Sequence, residues 1–329
     1  MEQINELSVM LNQHFKWNKA RMDCFVGMLI GLLKTRTINL TELAIAFPSS
    51  ASVDSRYLCI QRFFSAYPID FDVIALFIIS QFGFLESKYY VTVDRTNWQW
   101  GKKNINILVL AIVYKGAAIP IYWVLLNKKG NSNTRERIAL LKRFIAQFGK
   151  SQLLGILADR EFIGENWLKW LKSEDIDFYI RIKKDAKIPN SQGIDVQAKR
   201  LFFLLRAGEI SVIPKPRKMT GVLIYLTALR LADGELLLIA ASRAGNNAVT
   251  IYFGRWQIET LFSCLKGRGF NLEDTHITHR LRLKRLLVLP VIAFCWAHRT
   301  GEWRHETLKP IKHKNICVLQ RVFFAMVWI

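Results

Sequence analysis

YYVTVDRTNWQWGKKNINILVLAIVYKGAAIPIYWVLL, residues 89–126, is the stretch that decides the fold. It divides into three apolar runs with tight turns between them, which favours an antiparallel meander. Residues 105–126 alone are long enough to cross a membrane, but Lys115 and Gly116 interrupt them in the middle. A buried β-hairpin therefore fits better than a membrane span, and we expect no membrane partner.

The pattern after the meander alternates between helix and strand. A helical segment is predicted at 134–148, a fully apolar strand at 152–159, a helix at 165–174 and a strand at 177–184. Three strands, helix, strand, helix, strand describe a mixed α/β sheet. This is the element order of ribonuclease-H-like folds, and we predict that class for the core.

The chain on either side of this core has a different character. Apolar residues recur at intervals of three and four near Phe25, Met28 and Leu32, which predicts an N-terminal helical domain. A β-rich insertion is predicted from the segments LFFLL, EISVIP, GVLIYLTAL and ELLLIAAS. The predicted boundaries are 1–86 for the helical domain, 87–185 for the first part of the core, 186–246 for the β-rich insertion, and 247–329 for the last part of the core with the C-terminal helices.

The charge of the chain indicates a polyanionic partner. Its 47 Lys and Arg against 26 Asp and Glu give a net charge of +21, and the excess lies beyond residue 86. Nucleic acid is the leading candidate, with a generally basic solvated surface as the alternative. Within the helical domain, a helix pair carrying Arg56 and Arg62 could read DNA as a helix-turn-helix, or be an ordinary helix pair.

Several other classes of site are not indicated. The five cysteines are widely spread with no CxxC pair, so neither a disulfide framework nor a zinc site is expected. This cysteine usage fits a reducing, cytoplasmic location. No glycine-rich phosphate loop is present, so no nucleotide cofactor is expected.

Two aspartates follow apolar runs in the core. Asp94 ends the run YVTVD, and Asp159 directly follows LLGILA. Because ligands of α/β sheets sit at the carboxyl ends of strands, these two carboxylates could meet over one site. The alternative is a turn or a helix N-cap, since aspartate favours both.

A third carboxylate lies in the segment YFGRWQIETLFSCLK, residues 252–266. If the segment is helical throughout, Tyr252, Arg255, Glu259 and Lys266 project within a stripe of about 60° at the edge of its apolar face. The alternative is an ordinary amphipathic helix in which Arg255 and Glu259 form an i,i+4 ion pair.

These residues carry a resemblance to a known family. The spacing Y-x2-R-x3-E-x6-K resembles the signature of the insertion-sequence-four group of bacterial DDE transposases. The segments DRTNWQWG at 94–101 and DREF at 159–162 resemble its other two signature regions, in the same order. The resemblance covers roughly residues 50–300.

The resemblance implies a ribonuclease-H-like core in which Asp94, Asp159 and Glu259 are catalytic and bind two Mg²⁺ ions, with Mn²⁺ as a substitute. Carboxylate oxygens are ligands that such hard cations prefer. The implied activity is cleavage of the ends of an insertion sequence and joining of the 3′-OH to target DNA. The implied partners are double-stranded DNA, as terminal inverted repeats and target, and a second copy of the chain. Tyr252, Arg255 and Lys266 would hold DNA phosphates, and Trp256 would either stack on bases near the cut or pack in the core. The resemblance also implies a bacterial protein that is nucleoid-associated when bound to DNA.

Two alternatives stay open at this point. One is a nuclease or resolvase of the same fold, which cleaves but does not join. The other is a catalytically silent DNA-binding derivative of such an element.

Overall fold

The computed structural model describes residues 2–308. Its first part is helical, as the apolar spacing predicts. Polar side chains at Asn18, Asn39, Ser52 and Asp70 each accept a hydrogen bond from a first-turn backbone N–H and so fix where four of the helices begin. The five helices are α1 (Glu2–Phe15), α2 (Lys19–Thr35), α3 (Leu40–Ala46), α4 (Val53–Ala66) and α5 (Phe71–Gln81).

The predicted meander is confirmed and forms one edge of an eight-stranded sheet in the order β3-β2-β1-β4-β5-β10-β9-β8. Strands β1, β2 and β3 are antiparallel, whereas β1, β4 and β5 are parallel neighbours. The strands of this half are β1 (Tyr89–Trp100), β2 (Lys103–Tyr114), β3 (Ala117–Leu125), β4 (Leu153–Ala158) and β5 (Phe178–Arg181). The helices α6 (Thr134–Phe148) and α7 (Glu165–Ser173) connect them.

The strands of the predicted insertion continue this sheet. Strand β10 pairs antiparallel with β5, and β9 and β8 follow. Their bounds are β8 (Ile210–Met219), β9 (Val222–Arg230) and β10 (Leu236–Ala241), and a small separate pair consists of β6 (Lys187–Pro189) and β7 (Asp195–Gln197). The domain boundaries themselves stay a prediction.

One predicted strand of the insertion is wrong. LFFLL, residues 201–205, belongs instead to a 3₁₀ helix over Ala198–Phe202 and the turn after it. In that turn the Leu205 N–H donates to the Phe202 carbonyl, and Phe203 and Leu204 are exposed. The apolar run is therefore a 3₁₀ helix that buries Phe202 and a turn that exposes Phe203 and Leu204, not a strand.

The chain closes with helices, and the segment 252–266 is not one continuous α-helix. Helix α8 (Ala248–Phe253) passes through a 3₁₀ turn, Gly254–Trp256, into α9 (Gln257–Leu265). Gly254 lies against the sheet, since a Cβ there would stand 3.0 Å from Val113 Cγ1 and 3.1 Å from Leu157 Cδ1. The close approach of this turn lays α9 over strands β2 and β3.

The last helices complete the core. They are α10 (Arg280–Leu286) and α11 (Val288–Thr307), and the apolar run at 286–295 is buried. Within residues 2–308, no single helix has the length and hydropathy to cross a membrane. Helices α4 and α5 have that length and hydropathy only when taken together, and a bend of 104° separates them. Residues 309–329, the end of the last predicted domain, lie outside the described residues.

Helix α11 buries His298 among the rings of Phe82, Tyr114 and Phe294. Neither ring nitrogen has a hydrogen-bond partner among the described residues. Burial disfavours the charged imidazole and lowers the pKa of His298 to about 4.

We predict that His298 makes the fold sensitive to acid. The unfolded chain takes up this proton near pH 6.5 and the folded chain only near pH 4, so stability present above pH 6.5 is lost as the pH falls toward 4. The loss assigned to this residue is on the order of 1–3 kcal/mol. Urea unfolding of His298→Met should show a weaker fall across this range, whereas the control His305→Met, at an exposed position of α11, should behave as wild type. Equal pH dependence in wild type and His298→Met would contradict the assignment.

Candidate active site

The parallel pairing of β1 with β4 brings the two aspartates together. In this register Val93 lies opposite Ala158, so Asp94 and Asp159, one residue further on, stand at equivalent places on strands about 4.8 Å apart. Asp94 does not end its strand, because β1 continues to Trp100 along β2. The prediction of a strand end is therefore wrong for Asp94. The pairing of β1 with β4 ends just before Asp94. The two aspartates therefore still lie side by side on neighbouring strands.

Arg255 joins the first aspartate to the glutamate. Its Nη1 donates to Asp94 Oδ2 at 2.8 Å, and its Nη2 donates to Glu259 Oε1. Only 6% of the Arg255 side chain is exposed, against 58% for Glu259. The i,i+4 pair expected on an ordinary helix is thus present. The same guanidinium also binds the Asp94 carboxylate on β1, so this ion pair links the helix to the sheet.

Asp159 lies within the field of this cluster without a direct bond to it. Its Oδ1 is buried and has no hydrogen-bond partner among the described residues, and the same is true of the Tyr252 hydroxyl. Burial raises the pKa of Tyr252, and the negative charges of Asp159 and Asp94 raise it further. The phenol therefore keeps its proton and remains a hydrogen-bond donor at neutral pH.

The charges of the site are only partly balanced within it. Burial raises the pKa of Asp94, and the Arg255 charge and the Arg95 backbone N–H oppose that rise. Burial also works against the charge of Arg255, but the carboxylates of Asp94 and Asp159 favour it, and the pKa of Arg255 is raised. The one guanidinium thus offsets part of the charge of three carboxylates and leaves the site negative.

The donor set can be tested against a divalent cation. Asp94, Asp159 and Glu259 offer only oxygen ligands, which suits Mg²⁺, and the unpartnered Asp159 Oδ1 is an acceptor that a cation would satisfy. Within residues 2–308, however, no three His, Cys, Asp or Glu side chains stand close enough to hold a metal ion together. The residue types therefore fit, but Arg255 must release the oxygens of Asp94 and Glu259 before all three carboxylates can face one cation.

Residues 86–296, about two thirds of the chain, match the family described as Transposase DDE domain. The chain belongs to the transposase DDE domain family. No curated protein shows a significant match in sequence. The DDE domain accounts for the core sheet, the insertion and the closing helices up to the middle of α11.

The fold of this DDE domain is similar to that of one solved transposase structure. A piggyBac transposase, determined by cryo-EM in a synaptic complex with hairpin DNA, is 12% identical with a TM-score of 0.51 over 99% of this chain and 77% of that chain. The NurA nuclease from Sulfolobus solfataricus is 11% identical over 71% of this chain and 93% of that chain, and its TM-score of 0.25 is too low to carry an argument. The first likeness confirms the predicted ribonuclease-H-like mixed α/β class.

Two other residues predicted to contact DNA, Lys266 and Trp256, lie at either end of α9. Lys266 follows α9, where its Nζ donates to the Asn97 carbonyl at 3.2 Å and pairs with Glu273 at 2.8 Å. Trp256 is 39% exposed and stacks on Phe253, with 4.9 Å between the ring centroids. Lys266 thus ties the end of α9 to strand β1, and Trp256 presents part of its ring to solvent.

The two arginines predicted to read DNA differ in their surroundings. Arg56 Nη1 donates to the carbonyls of Ile45 and Phe47 and so links α4 to the end of α3. Arg62 is exposed on α4. Arg56 therefore has a structural role in the helix pair, and DNA contact by either residue stays a prediction.

The sequence did not predict a second ion pair near the aspartates, the one between Arg95 and Glu161. Arg95, next to Asp94, donates to both carboxylate oxygens of Glu161, from Nε at 2.8 Å and from Nη2 at 2.9 Å. Glu161 belongs to the 3₁₀ turn that follows Asp159. The available signal was position, since each partner lies within two residues of an aspartate.

A third buried arginine holds the same turn from the other side. Arg137 Nη2 donates to the Glu161 carbonyl at 2.9 Å, and its guanidinium lies 4.6 Å from the centre of the Phe162 ring. The turn after Asp159 is therefore fixed by α6 through Arg137 and by β1 through Arg95.

We predict that Glu161→Gln destabilises the protein by weakening the Arg95–Glu161 ion pair. The amide can accept one bond from Arg95 but places an NH₂ group against the other, and the positive charge loses its partner. Because the pair is largely buried, the free energy of unfolding should fall by about 3 kcal/mol. Urea unfolding measures the change. Glu165→Gln, which breaks an exposed i,i+4 pair with Lys169, is the control and should change stability much less. Equal effects of the two substitutions on the free energy of unfolding would contradict a stabilising role for the Arg95–Glu161 pair.

Proposed function

We propose that this protein is a transposase of the insertion-sequence-four type, which cleaves the ends of its element and joins the freed 3′-OH to target DNA. The proposal rests mainly on one observation: Arg255 contacts both Asp94 and Glu259, and Asp159 lies beside Asp94. In this arrangement the Y-R-E part of the signature converges with the two aspartates in a chain of the transposase DDE domain family.

In this proposal Asp94, Asp159 and Glu259 hold the divalent cations. When bound, two Mg²⁺ ions, or Mn²⁺ in their place, would activate the attacking oxygen and stabilise the leaving oxygen of an in-line phosphoryl displacement. Asp159 offers an unpartnered oxygen for this purpose, and Glu259 is exposed enough to turn toward the site.

The remaining side chains of the cluster act on the phosphate. Arg255 presents two N–H groups in one plane, and a phosphate matches that fork as well as the two carboxylates that it now holds. A DNA phosphate would therefore compete for Arg255 and draw it away from Asp94 and Glu259. Tyr252, kept neutral by burial, would donate its O–H to a phosphate oxygen once the site opens, because its hydroxyl is buried in the structure without DNA.

The partners follow from the same reasoning. Double-stranded DNA supplies the inverted repeats and the target, and the net charge of +21 favours such a polyanion. The related piggyBac transposase is recorded in a synaptic complex with DNA, and joining two element ends calls for two copies of the chain. We propose a homodimer on DNA in the bacterial cytoplasm, with the helical domain contacting the repeat through Arg62.

A cleavage and joining assay tests the proposal. Purified protein, labelled DNA carrying the inverted repeats that flank the gene, and Mg²⁺ should give cut ends and, with plasmid target, joined products. Asp159→Asn removes a cation ligand worth several kcal/mol of transition-state stabilisation, so the rate should fall by more than about 100-fold. Glu86→Gln, an exposed carboxylate before β1, is the control and should retain full activity.

Three outcomes separate the alternatives. Equal cleavage by wild type and Asp159→Asn would exclude this active site. Cleavage without joined product would favour a nuclease or resolvase of the same fold. Specific DNA binding with no cleavage in either Mg²⁺ or Mn²⁺ would indicate a silent derivative.

A further inference from the structure

Two cysteines of the helical domain lie against each other. Cys24 on α2 and Cys59 on α4 are 35 positions apart in sequence, and the Cys59 thiol donates to the Cys24 sulfur with 3.1 Å between the two Sγ atoms. Both cysteines are free thiols. Because the sulfurs of a disulfide are about 2.05 Å apart, these two need to approach by only about 1 Å to form a bond.

The packing of α4 holds the two sulfurs in this register. About one turn before Cys59, Arg56 bonds α4 to the end of α3. About one turn after Cys59, the Phe63 ring stacks on the ring of Phe25, the neighbour of Cys24, with 5.9 Å between the ring centroids. The contact between the thiols is therefore fixed on both sides by other interactions of the same helix.

The two thiols differ in their access to solvent. Cys24 is buried, with 2% of its surface exposed, whereas Cys59 is exposed. Burial raises the pKa of Cys24, and the neighbouring Cys59 sulfur raises it further, so Cys24 keeps its proton at neutral pH. A dissolved oxidant therefore reaches Cys59 first, and Cys24 is placed to react with the product.

The other cysteines of the described residues do not share this arrangement. Cys264 and Cys295 are buried in the core, so Cys59 is the one exposed cysteine within residues 2–308. Oxidation of this part of the chain should begin at Cys59, where a second thiol lies in contact with it.

We propose that Cys24 and Cys59 are a reversible modification site, at which a peroxide converts the two thiols into an intramolecular disulfide that ties α4 to α2. First, the Cys59 sulfur attacks a peroxide oxygen, the O–O bond breaks, and Cys59 sulfenic acid and water form. The Cys24 sulfur then attacks the Cys59 sulfur and the S–O bond breaks. The departing hydroxyl takes the Cys24 proton and leaves as water. Two thiols and one hydrogen peroxide thus give one disulfide and two waters, and a dithiol reductant reverses the change.

The disulfide would restrain the helices of the N-terminal domain. The loop that it closes contains the end of α2, all of α3 and the first half of α4. Closing such a loop reduces the freedom of the unfolded chain and so favours the folded one. In a reducing compartment the pair stays as two thiols, and the restraint would form only when an oxidant is present. The site does not depend on the proposed function.

Peptide mapping tests the bond directly, because trypsin places the two cysteines in separate short peptides. Cleavage after Arg21 and Lys34 releases MDCFVGMLIGLLK, and cleavage after Arg56 and Arg62 releases YLCIQR. The full chain is treated with a small molar excess of hydrogen peroxide, its remaining thiols are blocked with iodoacetamide, and it is digested without reductant. Mass spectrometry should find the two peptides joined with the loss of two hydrogen atoms. The protein should remain a monomer on a non-reducing denaturing gel, and dithiothreitol should separate the peptides.

Thermal unfolding tests the restraint. The midpoint of the wild type should rise by about 3–8 °C after oxidation and return to its first value after reduction. Cys59→Ser, at an exposed position, and Cys24→Ala should show no rise. Cys295→Ala is the control, because it removes a buried cysteine and leaves the pair intact; its midpoint should rise on oxidation as in the wild type.

Three results would overturn the proposal. They are both peptides recovered separately with blocked thiols, Cys59 sulfinic acid with Cys24 still a thiol, and dimers joined through Cys59. Joined peptides with an unchanged midpoint would overturn the restraint of α4. Because none of these measurements uses DNA or a divalent cation, a failure of the cleavage assay would leave the modification site standing, and active cleavage would not rescue it.

Discussion

Two half-buried carboxylates held side by side require a positive charge near them, and the arrangement of the site follows from that constraint. The parallel pairing of β1 with β4 places Asp94 beside Asp159, and burial raises the pKa of Asp94. Removing such charges from water costs several kcal/mol per ion unless a partner compensates. Arg255 is that partner, and it reaches Asp94 because the 3₁₀ turn at Gly254 lies directly on the sheet.

Each arginine near the site has a distinct task. Arg95 and Arg137 fix the turn after Asp159 through Glu161, so the spacing of the aspartates is set by contacts that face away from the reacting position. Arg255 faces the carboxylates themselves, and we propose that it exchanges them for a phosphate.

The sequence predicts those features that depend on local patterns. The β1–β3 meander, the strand and helix order of the core, and the helical head follow from apolar periodicity and turn residues, and Glu259 follows from its spacing to Arg255. The break at Gly254–Trp256 could not be predicted, because it depends on contact with Val113 and Leu157. LFFLL was predicted as a strand because composition alone does not show that Phe203 is exposed. The Arg95–Glu161 pair joins residues 66 positions apart, so it required the fold.

The central claim is that Asp94, Asp159 and Glu259 hold cations once DNA draws Arg255 away. Anomalous scattering from Mn²⁺ in crystals of the protein bound to a DNA end tests it most directly. The account predicts Mn²⁺ between the oxygens of the three carboxylates, with the Arg255 guanidinium on a DNA phosphate. Mn²⁺ bound elsewhere, or Arg255 still joining Asp94 to Glu259 in the presence of metal and DNA, would contradict it.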